Sequence, residues 1–203
     1  MRKSIKITAI TILLISTITL IQGCAVPAMT NTPMNFNKTS EKGLLVGSVT
    51  FPQEKAKYNG YFFRLTGNTS AEFQIMPEQF LKMKHDGQLD EGRTYLFAIE
   101  RPEGKSEIPS VRLFHNSVMV AGQYDVRIGG FSIPYEIKKG EITYVGNILF
   151  NEYAEKGDTI FSLNNNFERD INALKKLQPS VDWNSAKNDT LRKIEYNNKK
   201  ARL

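Results

Sequence analysis

Apolar and polar residues alternate one by one in several stretches of the chain between residues 43 and 164. The clearest stretch is FSIPYEI, residues 131–137, in which every second residue is apolar. Successive side chains of a β-strand point to opposite faces, so this pattern predicts a strand with one buried face. Such strands need a second layer to cover their apolar faces, which makes a layered β structure the expected architecture.

Eight segments of this kind are separated by turn residues such as Asn59-Gly60 and Lys139-Gly140. They lie at residues 43–51, 58–65, 71–76, 94–100, 123–130, 131–137, 141–150 and 159–163. Short strands with frequent turn signals are typical of antiparallel sandwiches and barrels. The sequence therefore predicts a mainly β fold, a single antiparallel β-sandwich of seven to eight strands. Gly129-Gly130 is interpreted as a bend or bulge, because no helix follows it to form a phosphate loop.

The apolar period changes from two to that of a helix after residue 164. The apolar residues of one helical face are Phe167, Ile171, Leu174 and Leu177. Asn165 with Glu168 fits a capping box at the start of this helix, and Pro179 fits its end. We expect the helix to pack on the sandwich, with residues 181–183 closing over it. Stacking on a ligand is the alternative role for Trp183.

The N-terminus has the composition of an export signal. Arg2, Lys3 and Lys6 precede residues 7–21, which carry no charge. As a helix this uncharged segment reaches only ~22 Å, less than the ~30 Å hydrocarbon core of a bilayer. It therefore predicts a cleaved signal peptide rather than a permanent transmembrane helix.

The one cysteine of the chain follows directly. Ile21-Gln22-Gly23-Cys24 resembles the lipobox of bacterial lipoproteins. The resemblance implies diacylglycerol on the Cys24 thiol, cleavage between Gly23 and Cys24, and acylation of the new amino group by a fatty acid such as palmitate. Two or more acyl chains hold a protein stably on a membrane. The alternative is an ordinary signal peptide followed by a free thiol, an unusual feature in an exported protein.

The resemblance also bears on location. Ala25 follows the cysteine, where an aspartate favours inner-membrane retention in proteobacterial lipoproteins, so we expect lipid anchoring in the outer membrane. The periplasmic face and the cell surface remain alternatives. Once the sulfur of Cys24 is bound in a thioether, it can form no disulfide and provides no thiolate ligand for a metal.

These features divide the chain into four parts. Residues 1–23 are the signal peptide, 24–42 the acylated cysteine and a flexible tether, 43–183 the sandwich with its helix, and 184–203 a basic tail or surface helix. Removing residues 1–23 lowers the formal net charge from +6 to +3. Because most of that excess lies in the tail, the charge pattern predicts no nucleic-acid partner.

Two stretches resemble exported bacterial lipoproteins of unassigned function with a transthyretin-like or carboxypeptidase-regulatory-like β-sandwich. They are residues 119–150, with the strand, Lys-Gly turn and strand ending in Tyr-x-Gly, and residues 167–183, with an Arg-Asp helix followed by proline and Asp-Trp. The resemblance covers about a quarter of the chain. It implies the sandwich architecture and assigns no catalytic residues.

Residue types that carry catalysis or bind metals are sparse. His85 and His115 lie thirty residues apart, and no serine sits in a GxSxG motif. The acidic pairs Asp90/Glu91 and Glu152/Glu155 suit a glycosidase only if two carboxylates face one cleft. We therefore expect no metal, no cofactor and no enzymatic activity.

Two surface features are candidate contact sites. Phe62, Arg64 and Phe114 form a possible exposed aromatic patch for a partner. Lys199, Lys200 and Arg202 are candidate contacts to anionic lipid head groups or cell-wall polymers, with a solvated tail as the alternative.

Together these observations lead to one main hypothesis, a non-catalytic, lipid-anchored lipoprotein whose sandwich binds another envelope component, most plausibly a protein. The alternatives are an enzyme that acts on envelope glycan or peptide, and a carrier of a small apolar ligand.

Overall fold

The computed structural model describes residues 36–53, 56–76, 88–89, 93–117, 122–155, 157–190 and 195–196. The strands are β1 (Gly43–Thr50), β2 (Gly60–Leu65), β3 (Ala71–Ile75), β4 (Gln88–Leu89), β5 (Thr94–Arg101), β6 (Gly104–Ile108), β7 (Ser110–Ser117), β8 (Gly122–Ile128), β9 (Phe131–Ile137), β10 (Ile142–Phe150), β11 (Phe161–Asn164), β12 (Lys187–Asn188) and β13 (Glu195–Tyr196). The helix α1 spans Phe167–Leu177, and a single 3-10 turn follows at Trp183–Ser185.

The first sheet has the strand order β11-β10-β1-β5-β4. Its central strand β1 is antiparallel to β5 but parallel to β10. The short strand β12 also runs parallel to β10, beside Thr143 and Tyr144. The mainly β, antiparallel prediction is confirmed, and the parallel pair at the centre is a feature that side-chain alternation does not reveal.

The second layer is built on a long, bent two-stranded ribbon. One strand of the ribbon runs from β6 to β7 through Pro109 alone, and the other runs from β8 to β9 through Gly129 and Gly130. The pairing is Val111↔Ile128 on one side of the bend and Ile108↔Ile133 on the other, so the glycine strand holds two extra residues. Gly130 has φ +85°, which a glycine adopts at no steric cost. The expected bend at Gly129-Gly130 is therefore confirmed.

Strands β2 and β3 extend this layer beside β7, and β13 pairs with the start of β9. We call β3, β2, β6, β7, β8, β9 and β13 together the second sheet. The inner faces of the two sheets enclose the main core, which includes Leu45, Val49 and Phe150 from the first sheet and Phe63 and Tyr135 from the second.

Helix α1 covers the opposite face of the first sheet. A second apolar cluster there joins Leu44, Val46 and Tyr144 of the sheet to Ile171 and Leu174 of the helix. As a result β1 is buried from Gly43 through Val49, on both of its faces. The expected packing of the C-terminal helix on the sandwich is confirmed.

The ends of the helix differ in detail from the expectation. Its N-cap is Asn166, while the Asn165 side chain accepts a bond from the Phe167 N–H at 3.3 Å. Leu177 was expected on the buried stripe, but it is 40% exposed because the helix ends there beyond the edge of the cluster. Trp183 is buried, and its Nε1 donates to the Gln178 carbonyl oxygen at 2.8 Å. Trp183 is therefore the expected cap over the helix, and a stacking role has no exposed ring to use.

Packing begins before and continues after the expected domain limits of 43 and 183. Phe36, within the expected tether, is buried in the second apolar cluster. Beyond residue 183, β12 and β13 form strand pairs where the sequence favoured a tail or a surface helix. Strands β6 and β7 were not expected either. In β6 the polar run Lys105, Ser106 and Glu107 gives no apolar alternation, whereas β7 does carry alternating apolar residues, Val111 and Leu113.

A close contact between two glycines sets the register of the central parallel pair. The register shifts between Val46 and Ser48, opposite Gly146, which has φ +115°. A Cβ on Gly47 would lie 2.7 Å from the Gly146 carbonyl oxygen and 2.7 Å from Cζ of Phe97. The bulge at Gly146 thus needs a glycine opposite it, and it turns Asn147 towards Ser48.

We predict that Gly47→Ala lowers the free energy of unfolding by about 1–3 kcal/mol, the usual cost of adding a methyl group to a packed core. Urea unfolding monitored by circular dichroism measures the change. Gly129→Ala is the control, because its Cβ would have as its nearest neighbour the Pro109 carbonyl oxygen at 3.9 Å. Equal losses in the two variants would contradict the packing argument.

Candidate functional site

A buried polar network joins helix α1 to the first sheet. The side chain of Asp170 is fully buried, and its Oδ2 accepts from Ser48 Oγ at 2.6 Å and Tyr144 OH at 2.7 Å. Its Oδ1 accepts from the Arg169 guanidinium at 2.8 Å. Asn147 Nδ2 donates to Ser48 Oγ at 2.7 Å, which extends the network along β10. Both oxygens of the carboxylate are therefore bonded, and its charge is balanced by one guanidinium.

The network continues as a chain of hydroxyl groups. Asn147 also bonds to Thr50 Oγ1 at 2.8 Å, and Thr50 and Thr94 share a bond of 2.8 Å. Burial and the negative charge of Asp170 raise the pKa of the Tyr144 hydroxyl, so Tyr144 remains a donor at all physiological pH values. Ser48 has no exposed surface, so its hydroxyl reaches no substrate. The arrangement holds a helix in place and has no access for chemistry.

Sequence reasoning did not identify this network, although one signal was present. Ser48 falls on the same face of β1 as Leu44 and Val46, so a polar residue stands at a core position. Asp170 stands beside Ile171 on the apolar side of the helix. A buried polar residue requires a partner, but which two such residues meet depends on the tertiary fold.

We predict that Asp170→Ala lowers the free energy of unfolding by about 3 kcal/mol, because it leaves the buried Ser48 and Tyr144 hydroxyls without their acceptor and removes the ion pair with Arg169. Urea unfolding of both proteins provides the measurement. Glu168→Ala, an exposed acidic residue in the same helical turn, is the matched control and should change stability by less than about 0.5 kcal/mol. A loss below about 1 kcal/mol for Asp170→Ala would contradict the assigned role.

The two ends of the sandwich differ in character. Because β1 and β10 run parallel, both begin at one end, beside Phe36, and both finish at the other. We call the first the entry end and the second the distal end. A strand of eight residues spans roughly 25 Å, so the two ends lie about that far apart.

The distal end has a buried carboxylate beneath two tyrosine rings, of which Tyr58 is partly buried and Tyr153 is exposed. Glu152 is fully buried, and its Oε2 accepts from the hydroxyl of Tyr61. Burial first, and the bond to Glu152 second, raise the pKa of Tyr61, which keeps this phenol protonated. The Tyr58 backbone N–H donates to the same hydroxyl at 3.1 Å. The β1–β2 loop and the loop after β10 are thereby joined through two buried side chains.

An exposed lysine and its aromatic neighbours lie above this pair. Lys57 Nζ is 5.8 Å from the Tyr58 ring centre and 5.3 Å from that of Tyr153, and it donates to the Glu152 carbonyl oxygen at 3.3 Å. The Tyr58 ring meets the ring of His115 edge to face at 6.4 Å. Tyr153 is 43% exposed. We call Lys57, Tyr58, His115 and Tyr153 the distal cluster.

The entry end is held by a buried arginine. Arg101, at the end of β5, donates from its guanidinium to the carbonyl oxygens of Thr66, at 3.1 Å, and Thr69 in the second layer. Burial raises the pKa of nearby Tyr135, and the positive charge of Arg101 opposes that rise. These contacts fasten the two sheets to each other and face no cleft.

The expected aromatic patch is only partly present. Phe62, Arg64 and Phe114 are half-buried on the outer face of the second sheet. The Arg112 guanidinium lies 4.0 Å from the Phe62 ring centre and forms an ion pair with Glu72 at 3.0 Å. Arg112 thus covers the ring that the sequence offered as exposed.

Two surface cavities are formed by described residues. The larger, about 500 Å³, is at the entry end and is lined by Phe36, Asn37, Lys38, Thr39, Gly140, Ile142, Ser180, Asp182 and Ser185. The smaller, about 240 Å³, lies at the bend between β8 and β9 and is lined by Ile128, Gly129, Phe131, Asp158, Thr159, Ile160 and Phe161. The candidate carboxylates Glu152 and Glu155 line neither of them.

Several residues singled out from the sequence lie outside the described residues: Gly23, Cys24, His85, Asp90, Glu91, Lys199, Lys200 and Arg202. His115 is exposed on β7 and belongs to the distal cluster. Within the described ranges, no three His, Cys, Asp or Glu side chains come together as a metal site. No helix in those ranges has the length and apolar character needed to cross a bilayer.

Known proteins show little similarity to this chain. No family model and no curated protein matches the chain. Among solved structures, the chain is similar to a leucine-rich repeat protein from Bacteroides thetaiotaomicron, with 11% sequence identity and a TM-score of 0.30. That alignment covers 70% of this chain and 17% of the other. A similarity of this degree identifies neither a shared fold nor a shared function.

Proposed function

We propose that this protein is a non-catalytic lipoprotein, anchored through acyl chains on Cys24 to the outer membrane, whose distal cluster binds a protein of the cell envelope. The observation that carries the proposal is the position of the distal cluster, at the end of the sandwich opposite Phe36. The distal cluster therefore lies at the end of the sandwich remote from the point where the segment that follows Cys24 reaches Phe36.

The intervening segment limits how far the entry end lies from the anchor. Phe36, which is packed in the second apolar cluster, is the twelfth residue after Cys24. Twelve extended residues reach at most ~40 Å, so the entry end stays within that distance of the anchor. The lipobox-like residues 21–24 and the absence of any other cysteine support the anchor itself.

The chemistry of the distal cluster suits a protein partner. Tyrosine combines a large apolar ring with a hydroxyl group, and tyrosines are enriched at protein interfaces. Lys57 and His115 add donors, and a positive charge that favours an acidic residue of the partner. The buried Glu152–Tyr61 pair beneath fixes the loops that carry these side chains, which reduces the entropy lost on binding.

The alternative of a glycan- or peptide-acting enzyme has less support. Among the described residues, the fully buried carboxylates are those of Asp170 and Glu152, and both accept hydrogen bonds inside the fold. For a carrier of an apolar ligand, the cavity at the bend, about 240 Å³, is below the ~300–1,000 Å³ of typical ligand sites. The cavity at the entry end, about 500 Å³, has the size of such a site, but polar residues such as Asn37, Lys38 and Asp182 line it. The resemblance to transthyretin-like lipoproteins remains a prediction.

The anchor predicts a result that does not depend on any partner. Cells grown with a clickable fatty-acid analogue should incorporate label into the full-length chain and not into Cys24→Ala. The variant should also leave the membrane fraction. Labelling of both chains, or of neither, would contradict the anchor.

The distal cluster predicts the effect of a double substitution. Lys57→Ala with Tyr153→Ala should reduce recovery of crosslinked partners from intact envelopes about tenfold or more, since central aromatic side chains often contribute 2 kcal/mol or more to binding. Crosslinking, affinity capture and quantitative mass spectrometry of the partner bands provide the measurement.

Two controls separate this surface from the rest of the chain. Lys176→Ala with Leu177→Ala removes an exposed lysine and a 40% exposed apolar residue from helix α1 and should leave recovery unchanged. Lys199→Ala, Lys200→Ala and Arg202→Ala test the basic tail. Equal loss with the helix variant, or loss with the tail variant alone, would assign binding elsewhere.

A further inference from the structure

Strand β8 is the last strand on its side of the second sheet. Within the described residues β7 pairs with one edge of β8, and no strand pairs with the other. Its seven residues make it longer than the other terminal strands β3, β4 and β11, which have five, two and four. It contains neither proline nor lysine, two of the residues that natural proteins use to protect an open edge, and its charged residues are one acidic and one basic, Asp125 and Arg127.

The edge that continues beyond the bend is protected differently. There β13 pairs with Phe131 and Ser132, and Pro134 removes a backbone donor from β9. Among the described residues, the outer edge of β9 thus has a partner strand at its start, whereas the outer edge of β8 has none.

An apolar residue of β8 also lacks cover on the face that carries the core. Val126 pairs with Leu113 of the neighbouring strand. Both residues lie on the same face of the sheet as the buried Ile128. Leu113 and Ile128 are 1% exposed, whereas Val126 is 48% exposed. Val126 is thus a half-exposed apolar residue on the core-facing side of β8.

We propose that β8 pairs with β8 of a second copy of this chain, antiparallel, about a twofold axis at Val126. In that register Val126 lies opposite Val126 of the second copy. Tyr124 lies opposite Ile128, an aromatic residue against a β-branched one, and Asp125 lies opposite Arg127, an acidic residue against a basic one. Each of these cross-strand pairings is a stabilising type. The twofold axis generates a second copy of every pair that joins two different residues. Two Asp125–Arg127 pairs therefore form in the dimer.

Neighbouring registers are unfavourable. A shift by two residues in one direction places Asp125 opposite Asp125, and in the other direction it places Arg127 opposite Arg127. Like charges directly opposite each other destabilise a sheet. A shift by one residue sets Val126 against a charged residue and reverses the faces of the whole strand. The sequence of β8 is therefore self-complementary in one register.

The dimer joins two four-stranded sheets into one sheet of eight strands, β3-β2-β7-β8 followed by the same strands of the second copy in reverse. A closed twofold interface of this kind uses the same surface on both copies and stops at two. It depends neither on the lipid anchor nor on the distal cluster.

The register can be tested with single cysteines in membranes of cells that express the full-length chain. Residues directly opposite in an antiparallel pair have Cα atoms about 4.5–5.5 Å apart, within the range that a disulfide spans. Val126→Cys should therefore give a disulfide-linked dimer on mild oxidation. The two copies of residue 124 lie four residues apart along the strands, roughly 13 Å, so Tyr124→Cys should give none.

Two further chains control for collision. The unmodified chain shows what Cys24 contributes, and Ala71→Cys places a thiol at the opposite edge of the sheet, on β3. A monomeric Val126→Cys chain, or equal dimer from Tyr124→Cys or Ala71→Cys, would overturn the proposal.

Charge reversal tests the same register by a second route. In the Val126→Cys chain, Asp125→Arg should lower the dimer yield at limiting concentration roughly tenfold, since it sets two like-charge pairs in place of two opposite-charge pairs. Arg127→Asp should have the same effect, and the two reversals together should restore the dimer. Circular dichroism of each variant reports folding. The proposal would be overturned if the single variants gave an unchanged dimer yield, or if the double variant folded but formed no dimer.

Discussion

Strand β1 carries large apolar side chains on both faces, and both faces have to be covered at once. Leu45 and Val49 belong to the core between the sheets, while Leu44 and Val46 belong to the cluster under helix α1. A two-layer sandwich covers only one side of such a strand. The chain therefore needs its C-terminal helix as a third layer, and the position of that helix is fixed by the one buried carboxylate, Asp170, that reaches Ser48 on the strand. The burial of apolar surface is non-directional and does not fix how the helix is oriented on the sheet. The hydrogen bonds of this network are directional, so they fix that orientation.

The alternation of apolar and polar residues predicted most strands, because a strand buried on one face has an apolar residue at every second position. The residues 131–137 form β9 as expected, and Ile171 and Leu174 lie on the buried side of the helix as their spacing indicated. Strand pairing was not predictable, since which strand lies beside β1 depends on residues about a hundred positions away. Strands such as β6 are stabilised by their neighbours more than by their own composition, and a polar strand of this kind gives no periodic signal.

The same distinction applies to the sites. Residue types identified His115 and Glu152 as candidates but not their roles, because burial decides whether a carboxylate acts on solvent or holds two loops together. Glu152 is closed inside the fold, and Tyr153, its neighbour in sequence, is open to solvent. Lys57 and Tyr58 belong to a surface cluster only because the loop after β10, which carries Tyr153, lies beside them. The distal cluster is thus a product of loop packing on a rigid sandwich, the usual location of binding residues in β proteins.

The parallel pairing of β1 with β10 sets the order in which the protein can fold. The partner of residue 44 is residue 142, and Ser48 donates its hydrogen bond to Asp170, which lies 122 residues further along the chain. The central sheet cannot close until about three quarters of the chain has been synthesised, and the helix follows later still. Contacts of such long range slow folding. The early strands can pair locally, as β2 does with β3, but β1 has its second neighbour only when β10 is available.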